Sequence, residues 1–346
     1  MAKPAKKSNK LDYTALRKQL KAEGPGNLYM LWGPEDYLIS DFVGRVKKAC
    51  LSEGMEDFDY KRLDGPGIDV RDLAEALDAM PFFGGRTFVE LRGFDINKCR
   101  DEETASLLAD VPEWCTVVIT LPAGVDPDGR LSLIKQIKNN GQAVEFTAQE
   151  QSALYEWLTK RFAAYGKTIG RSEMDRLMFL SGDLMNRLIP EIEKICSYAK
   201  AERVTLEDIE ATAHHIPEAD AFQMTDCISK GDYNGAAHYL SELMSGNREP
   251  IEVLGAIGWQ VRRLYAARLS LDKNKGPNYT KEVLGIKNDY ALRMLESTAR
   301  NYTLEALRAY VRLCAEMDFR MKTSAGEETE ILKELLVRFA MEGRCA

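Results

Sequence analysis

The residues best placed to do chemistry come early in the chain. An apolar run, Leu28-Tyr29-Met30-Leu31-Trp32, is followed at once by Gly33-Pro34-Glu35-Asp36-Tyr37-Leu38-Ile39-Ser40. A strand, a glycine turn and then a helix is the setting of a phosphate-binding loop. That loop needs G-x-x-x-x-G-K-[ST]: glycines let backbone N–H groups approach phosphate, lysine neutralises it, and the hydroxyl holds Mg²⁺. In that register Gly33 and Ser40 fit, but Leu38 stands at the second glycine and Ile39 at the lysine. Glu35 and Asp36 bring negative charge to the place phosphates would occupy. The loop is therefore expected to be degenerate and to bind no nucleoside triphosphate, with Ser40 an ordinary helix residue. The acidic pair that would hold Mg²⁺ is also missing. After the strand near residue 88 the chain reads Arg92-Gly93-Phe94-Asp95, and Asp95 alone reads as a loop aspartate.

Other chemistries find no constellation. The three histidines are His214, His215 and His238; two are adjacent and would point apart on a helix. There is no H-E-x-x-H, no Cys/His cluster and no G-x-S-x-G, so neither metal, cofactor nor catalysis is expected. The 7 cysteines include no C-x-x-C, and with no secretory signal at the N-terminus they read as reduced thiols of a cytoplasmic protein. The net charge of −7 excludes a global electrostatic grip on nucleic acid; a DNA contact would need a local basic patch. No apolar run approaches the ~20 residues of a membrane helix.

The elements that would position such residues change character along the 346 residues. Strands are expected at Leu28–Trp32, Thr87–Leu91, Cys115–Leu121 and Ala143–Phe146. Between them lie helical patterns: Leu38, Phe42 and Val46; Val70 to Met80 with Asp69 as N-cap; Leu131, Ile134 and Ile137. Strands alternating with helices imply a parallel sheet. After Thr147 only helical periodicity remains, over Gln149–Tyr165, Ser172–Leu180, Leu184–Ala199 and Leu206–Ile216. From Phe222 onward the chain is helical to its end, with breaks at Gly231-Asp232, 246–248, Lys275-Gly276-Pro277 and Gly326. The expected organisation is a tail and the start of a first helix at 1–27, an α/β domain at 28–147, a helical bundle at 148–217, and a second helical domain at 218–346.

One segment does not fit an ordinary core. In Met80-Pro81-Phe82-Phe83-Gly84-Gly85 two rings sit where the backbone is built to turn. Pro81 ends the preceding helix, and the glycine pair frees the backbone before the next strand. By residue type alone both rings belong inside. By position they stand at a helix tip.

LYMLWGPEDYLI resembles the opening of the delta subunit of the bacterial DNA polymerase III clamp loader, and MPFFGGRTFVEL resembles that family's P-F-F-x-x-(R/K)-x-x-V segment. Asp183-Leu184 through Arg187, Leu188, Glu191, Ile192, Lys194 and Ile195 is similar to its D-L-x-x-L-x-x-E helix. Phe222 to Leu240, Glu249-Pro250-Ile251 and Trp259 to Leu264 resemble the opening of its third domain; Tyr302 to Leu307 and Asp318 to Lys322 resemble its closing helices. Each motif is weak alone, and five in series are specific. The family's basic stretch after the fourth strand is thin here, with only Arg130 and Lys135.

The resemblance implies an AAA+-like α/β domain without nucleotide binding, followed by a lid bundle and a collar. It implies a non-catalytic part of a DNA-directed DNA polymerase holoenzyme that binds the ring-shaped sliding clamp and holds it open for loading onto primed DNA. The collar would join the other loader subunits. Clamp contact would fall to Met80, Pro81, Phe82 and Phe83. Burying both rings could supply roughly 3–6 kcal/mol, too little to break a ring interface by force, so the contact would stabilise an open clamp by binding it better. Two basic-aromatic groups are candidates for DNA or subunit contact: Arg262, Arg263 and Arg268 beside Trp259 and Tyr265, and Lys287, Tyr290 and Arg293. The alternatives are an ATP-hydrolysing loader subunit, against which the degenerate loop speaks, and a delta-prime-like scaffold, whose expected Ser-Arg-Cys tripeptide this sequence lacks.

Overall fold

The computed structural model describes residues 13–52, 54, 56–82, 84–245, 248–286, 288–323 and 327–342. The chain forms two compact units. The first runs to Gln149 and includes Leu184–Asn186; the second comprises Glu150–Asp183 and the chain from Arg187 onward.

The first unit is a five-stranded sheet with helices on both faces. Its strands are β1 (Leu28–Trp32), β2 (Tyr60–Asp64), β3 (Thr87–Arg92), β4 (Cys115–Thr120) and β5 (Gln142–Glu145). They lie in the order β2-β3-β4-β1-β5, every pair parallel. The helices are α1 (Tyr13–Glu23), α2 (Asp36–Cys50), the four-residue α3 (Glu56–Asp59), α4 (Val70–Asp78), α5 (Glu102–Ala109) and α6 (Ser132–Asn140). The three central strands carry near-continuous apolar runs because helices cover both faces. One face packs Leu73 and Leu77 of α4, Leu108 of α5 and Ile134 of α6 against Val89 and Val117. On the other face Phe42 of α2 meets Tyr29 edge-on at 5.5 Å and Phe146 at 6.2 Å.

Three elements differ from the sequence reading. The segment before residue 28 is more than a tail and a helix start: α1 is a complete helix, with Leu16 buried, the Tyr13 hydroxyl donating to Asp41 at 2.6 Å and the Tyr13 ring beside Phe146. β2 was not anticipated. Its sequence, Tyr-Lys-Arg-Leu-Asp, is mostly exposed because it forms a sheet edge, so it lacks the apolar signal of an inner strand. Likewise α5 went unread, although Asp101 is a plain N-cap whose carboxylate accepts the Thr104 N–H at 2.7 Å.

The second unit is built of helices, with one isolated parallel bridge between Thr168 and Arg203 among the described residues: α7 (Gln151–Ala164), α8 (Arg171–Ser181), α9 (Met185–Tyr198, from residue 187), α10 (Leu206–Thr212), α11 (Pro217–Ser229), α12 (Tyr233–Ser245), α13 (Pro250–Asp272), α14 (Pro277–Leu284), α15 (Asp289–Arg300), α16 (Leu304–Thr323) and α17 (Glu328–Glu342). The helix expected to reach Ile216 ends at Thr212, and the chain is extended at Ala213. The long α13 runs through a core shared with α11, α12, α15, α16 and α17. There Tyr310 stacks on Phe339 at 4.2 Å and donates to the Phe339 carbonyl, while Tyr302 donates to the Thr225 carbonyl. Phe179 of α8 meets Phe222 of α11 edge-on at 5.0 Å, so the bundle and the later helices share packing. Among the described residues no helix is long and apolar enough to cross a membrane.

Candidate functional site

The degenerate loop is closed by its own residues. Glu35 is the N-cap of α2, and its backbone N–H donates to the Phe146 carbonyl at 3.2 Å. Its side chain is fully buried, and Oε2 accepts the N–H of Met185, which belongs to the same unit, at 3.3 Å. Leu38 and Ile39 point into the core, while Ser40 is exposed on α2. Gly33 has φ of 122°, and a Cβ there would lie 2.4 Å from the Phe146 carbonyl oxygen. The glycine thus serves close packing of the turn on the strand end. A buried carboxylate and two core aliphatics occupy the positions where phosphate, lysine and glycine would be needed. Among the described residues no group of three or more His, Cys, Asp or Glu side chains could hold a metal.

The helix-tip loop is the opposite case, an apolar segment held outward. α4 stops at Asp78, two residues before the expected end, and Met80 and Phe82 are 69% and 70% exposed. Pro81 is half-buried, and Phe83 lies outside the described residues. The backbone around them is fixed at several points. The Thr87 hydroxyl donates to the Ala79 carbonyl at 2.6 Å, and the Trp114 indole N–H donates to the Leu77 carbonyl. The Phe82 N–H donates at 3.0 Å to Asp59, a carboxylate only 3% exposed. Gly85, at φ of 84°, lets the chain pass so close to Cys50 that a Cβ would lie 2.8 Å from its carbonyl oxygen. The same carbonyl accepts the Arg86 N–H at 3.0 Å.

Arg86 is the clamp of this loop. Its Nη1 donates to the Pro25 carbonyl and, at 3.3 Å, to Thr116 Oγ1; its Nη2 donates to Asn27 Oδ1 and the Glu113 carbonyl. One planar fork therefore joins the segments before β1, before β3 and before β4. The base of the loop is thereby tied to the start of β1 and of β4.

A neighbouring residue was missed by sequence reasoning. Phe58 of α3, 63% exposed, stacks on Phe82 with ring centroids 6.1 Å apart and 27° between planes. A phenylalanine in a short acidic segment carries no periodic signal, so nothing local points to it. Tyr60, two residues on, anchors the segment: its hydroxyl donates to Glu90 at 2.6 Å and its ring stacks on Phe88. Burial, and then the bond to Glu90, raise the Tyr60 pKa to about 12.

The basic-aromatic candidates do not gather. Arg262 is exposed, beside Gly258 and Cys314. Arg263 lies over the Trp259 ring at 4.2 Å, and burial lowers its pKa to about 10. Arg268 pairs with Asp272 at 3.0 Å and donates to the Arg300 carbonyl. These three share α13 but not one face. Tyr290 is engaged edge-on with Phe179, Arg293 is exposed, and Lys287 lies outside the described residues. Arg130 is held bidentately by Asp128, whose carboxyl it draws down to about 2. Lys135 lies on α6, exposed.

The chain thus combines a parallel α/β unit, whose loop after β1 lacks the phosphate-binding residues, with bundles of helices. The Bacillus subtilis DNA clamp loader delta protein has a similar structure (TM-score 0.53, 20% identity), covering 95% of this chain and 99% of that one. Two sequence-family models match, "DNA polymerase III, delta subunit" over residues 29–147 and "DNA polymerase III delta subunit, C-terminal domain" over residues 218–339. The chain belongs to the DNA polymerase III delta-subunit family. Relatives include DNA polymerase III subunit delta of Bacillus subtilis, 23% identical over 93% of this chain and 95% of its own length. A probable DNA polymerase III subunit delta of Aquifex aeolicus is 21% identical over 89% of this chain and 90% of its own.

Proposed function

We propose that this chain is a non-ATP-binding, non-catalytic clamp-loader subunit that binds the sliding clamp through the tip between α4 and β3 and holds the ring open for loading onto primed DNA. The observation that carries this is the exposure of Met80 and Phe82 on a loop whose backbone is fixed by Asp59, Thr87 and Arg86. Rigid, exposed apolar side chains lose little entropy on docking and are effective anchors in a partner's pocket. Family membership supports the choice of partner. The energy available from a few side chains is modest, so the contact acts by differential affinity: the open ring is bound more tightly than the closed one, and the population shifts accordingly. Phe83, adjacent in sequence, is proposed as part of the same tip. The exposed Arg262 and Arg293 are proposed for subunit or DNA contact within the assembled loader. We place the protein in the cytoplasm with the replication machinery.

The reading of an ATP-hydrolysing loader subunit is disfavoured by Glu35, Leu38 and Ile39, which are buried where a nucleotide site needs polar and glycine positions. Titration calorimetry with Mg·ATP is therefore expected to show no saturable binding. Tight one-to-one binding would sink this part of the proposal.

The remaining function, joining the loader, is assigned to the C-terminal helices, residues 218–346. The helical bundle α7–α10 belongs to the same compact unit as those helices, so the fragment to test begins at Glu150. It is expected to co-purify with the partner loader subunits as full-length protein does. Failure of a folded fragment to do so would count against the collar role.

A further inference from the structure

We propose that Phe58 is a second anchor of the clamp-binding surface, so that two stacked rings from different elements, and not the helix tip alone, enter the partner. This deepens, and rests on, the reading of the Met80–Phe82 tip as the clamp contact.

Phe58 and Phe82 come from segments 24 positions apart, yet their rings are stacked at 6.1 Å and both are more than 60% exposed. The arrangement is supported from below. Asp59, the residue after Phe58, is buried and accepts the Phe82 backbone N–H. Tyr60 then locks the start of β2 to β3 through Glu90 and Phe88. A stray surface ring would not be tied to the loop by its own neighbour. Here the hydrogen bond from Phe82 to Asp59 fixes the distance between the two rings, so any pocket receiving Phe82 meets Phe58 beside it.

The occupant is the apolar pocket of the sliding clamp that takes Phe82, because Phe58 is continuous with that tip and faces the same solvent. Two stacked rings offer a broader apolar surface than one, and each can bury ~150–250 Å² at small entropic cost. The stack also holds the Phe82 side chain near one orientation before docking, which reduces the ordering cost of binding.

The test measures affinity of the full-length protein for the cognate sliding clamp, for wild type, Phe58→Ala, Phe82→Ala and the double variant, with a melting curve for each. Phe58→Ala is expected to weaken binding ~10-fold or more without lowering the melting temperature, as for an interface anchor. The double variant should lose less than the product of the single losses, since touching residues couple. Wild-type or tighter affinity in Phe58→Ala would overturn the proposal, and tighter binding would mark Phe58 as a cover over Phe82. If Phe82→Ala weakens binding while Phe58→Ala does not, only the Phe58 assignment fails. If neither weakens binding, the clamp reading of the tip fails and takes this inference with it. Hydroxyl-radical footprinting of the wild-type protein provides a readout free of mutants. Added clamp should protect Phe58 from oxidation several-fold, by exclusion of water from a buried contact, and unchanged oxidation at saturating clamp would also overturn the proposal.

Discussion

Phe82→Ala is expected to weaken binding of the sliding clamp by about 2–4 kcal/mol, the range of a central hot spot, with little change in melting temperature. The asymmetry follows from where the ring is. At 70% exposure most of its ring lies outside the core, so truncation removes little buried area from the fold. In the complex the same ring would be desolvated, and its loss would leave an empty pocket on the partner. A ring serving as a core plug would give the reverse, costing ~3–5 kcal/mol of stability. Isothermal titration and a melting curve on one variant separate the two. Adding Phe83→Ala extends the test to the neighbouring ring, whose role rests on its place in the tip. A folded Phe82→Ala protein with unchanged clamp affinity would remove the tip from the proposal.

Arg86→Ala is expected to destabilise the first unit by about 2–4 kcal/mol, because four hydrogen bonds to its charged fork are lost together. The acceptors lie in two segments besides Arg86's own: Pro25 and Asn27 before β1, and Glu113 and Thr116 at the start of β4. Unlike Phe82→Ala, this change should lower both the melting temperature and clamp affinity, since the base of the tip loosens. Arg86→Lys should recover only part of the loss. One ammonium cannot occupy both ends of the fork, where Nη1 serves Pro25 and Nη2 serves Asn27. Chemical denaturation followed by circular dichroism measures the first effect, and the clamp isotherm the second. A variant that melts like wild type would show that water replaces the fork at little cost, and the account of a rigidly based tip would have to be abandoned.

The tip illustrates how far local sequence reaches. Pro81 and the glycine pair announce a turn, and that turn is present. The exposure of Phe82 is not encoded in those residues. Phenylalanine is usually interior, and Phe82 is held outward by a backbone bonded to Asp59 from a distant segment, with Thr87 and the loop's own Arg86 tying the turn to the rest of the fold. The partner ring Phe58 is further out of reach, because stacking across 24 positions leaves no periodic trace. The basic-aromatic group on α13 is the converse: nearness in sequence suggested a patch, but helical geometry separates Arg262, Arg263 and Arg268 and engages two of them locally.

From sequence alone came the inner strands, because parallel strands buried on both faces must be apolar runs, and the absence of the phosphate-loop motif, in which Leu38 and Ile39 stand at the glycine and lysine positions. The switch from alternating elements to helices after Thr147 was likewise a matter of periodicity. Tertiary structure alone decided the edge strand β2, the docking of α1, and the membership of α7–α10 in the same unit as the later helices. It also decided which apolar residues were left outside. Periodicity records which face of an element is apolar, but not what that face meets. An exposed edge strand and an exposed ring are defined by neighbours that come from distant parts of the chain.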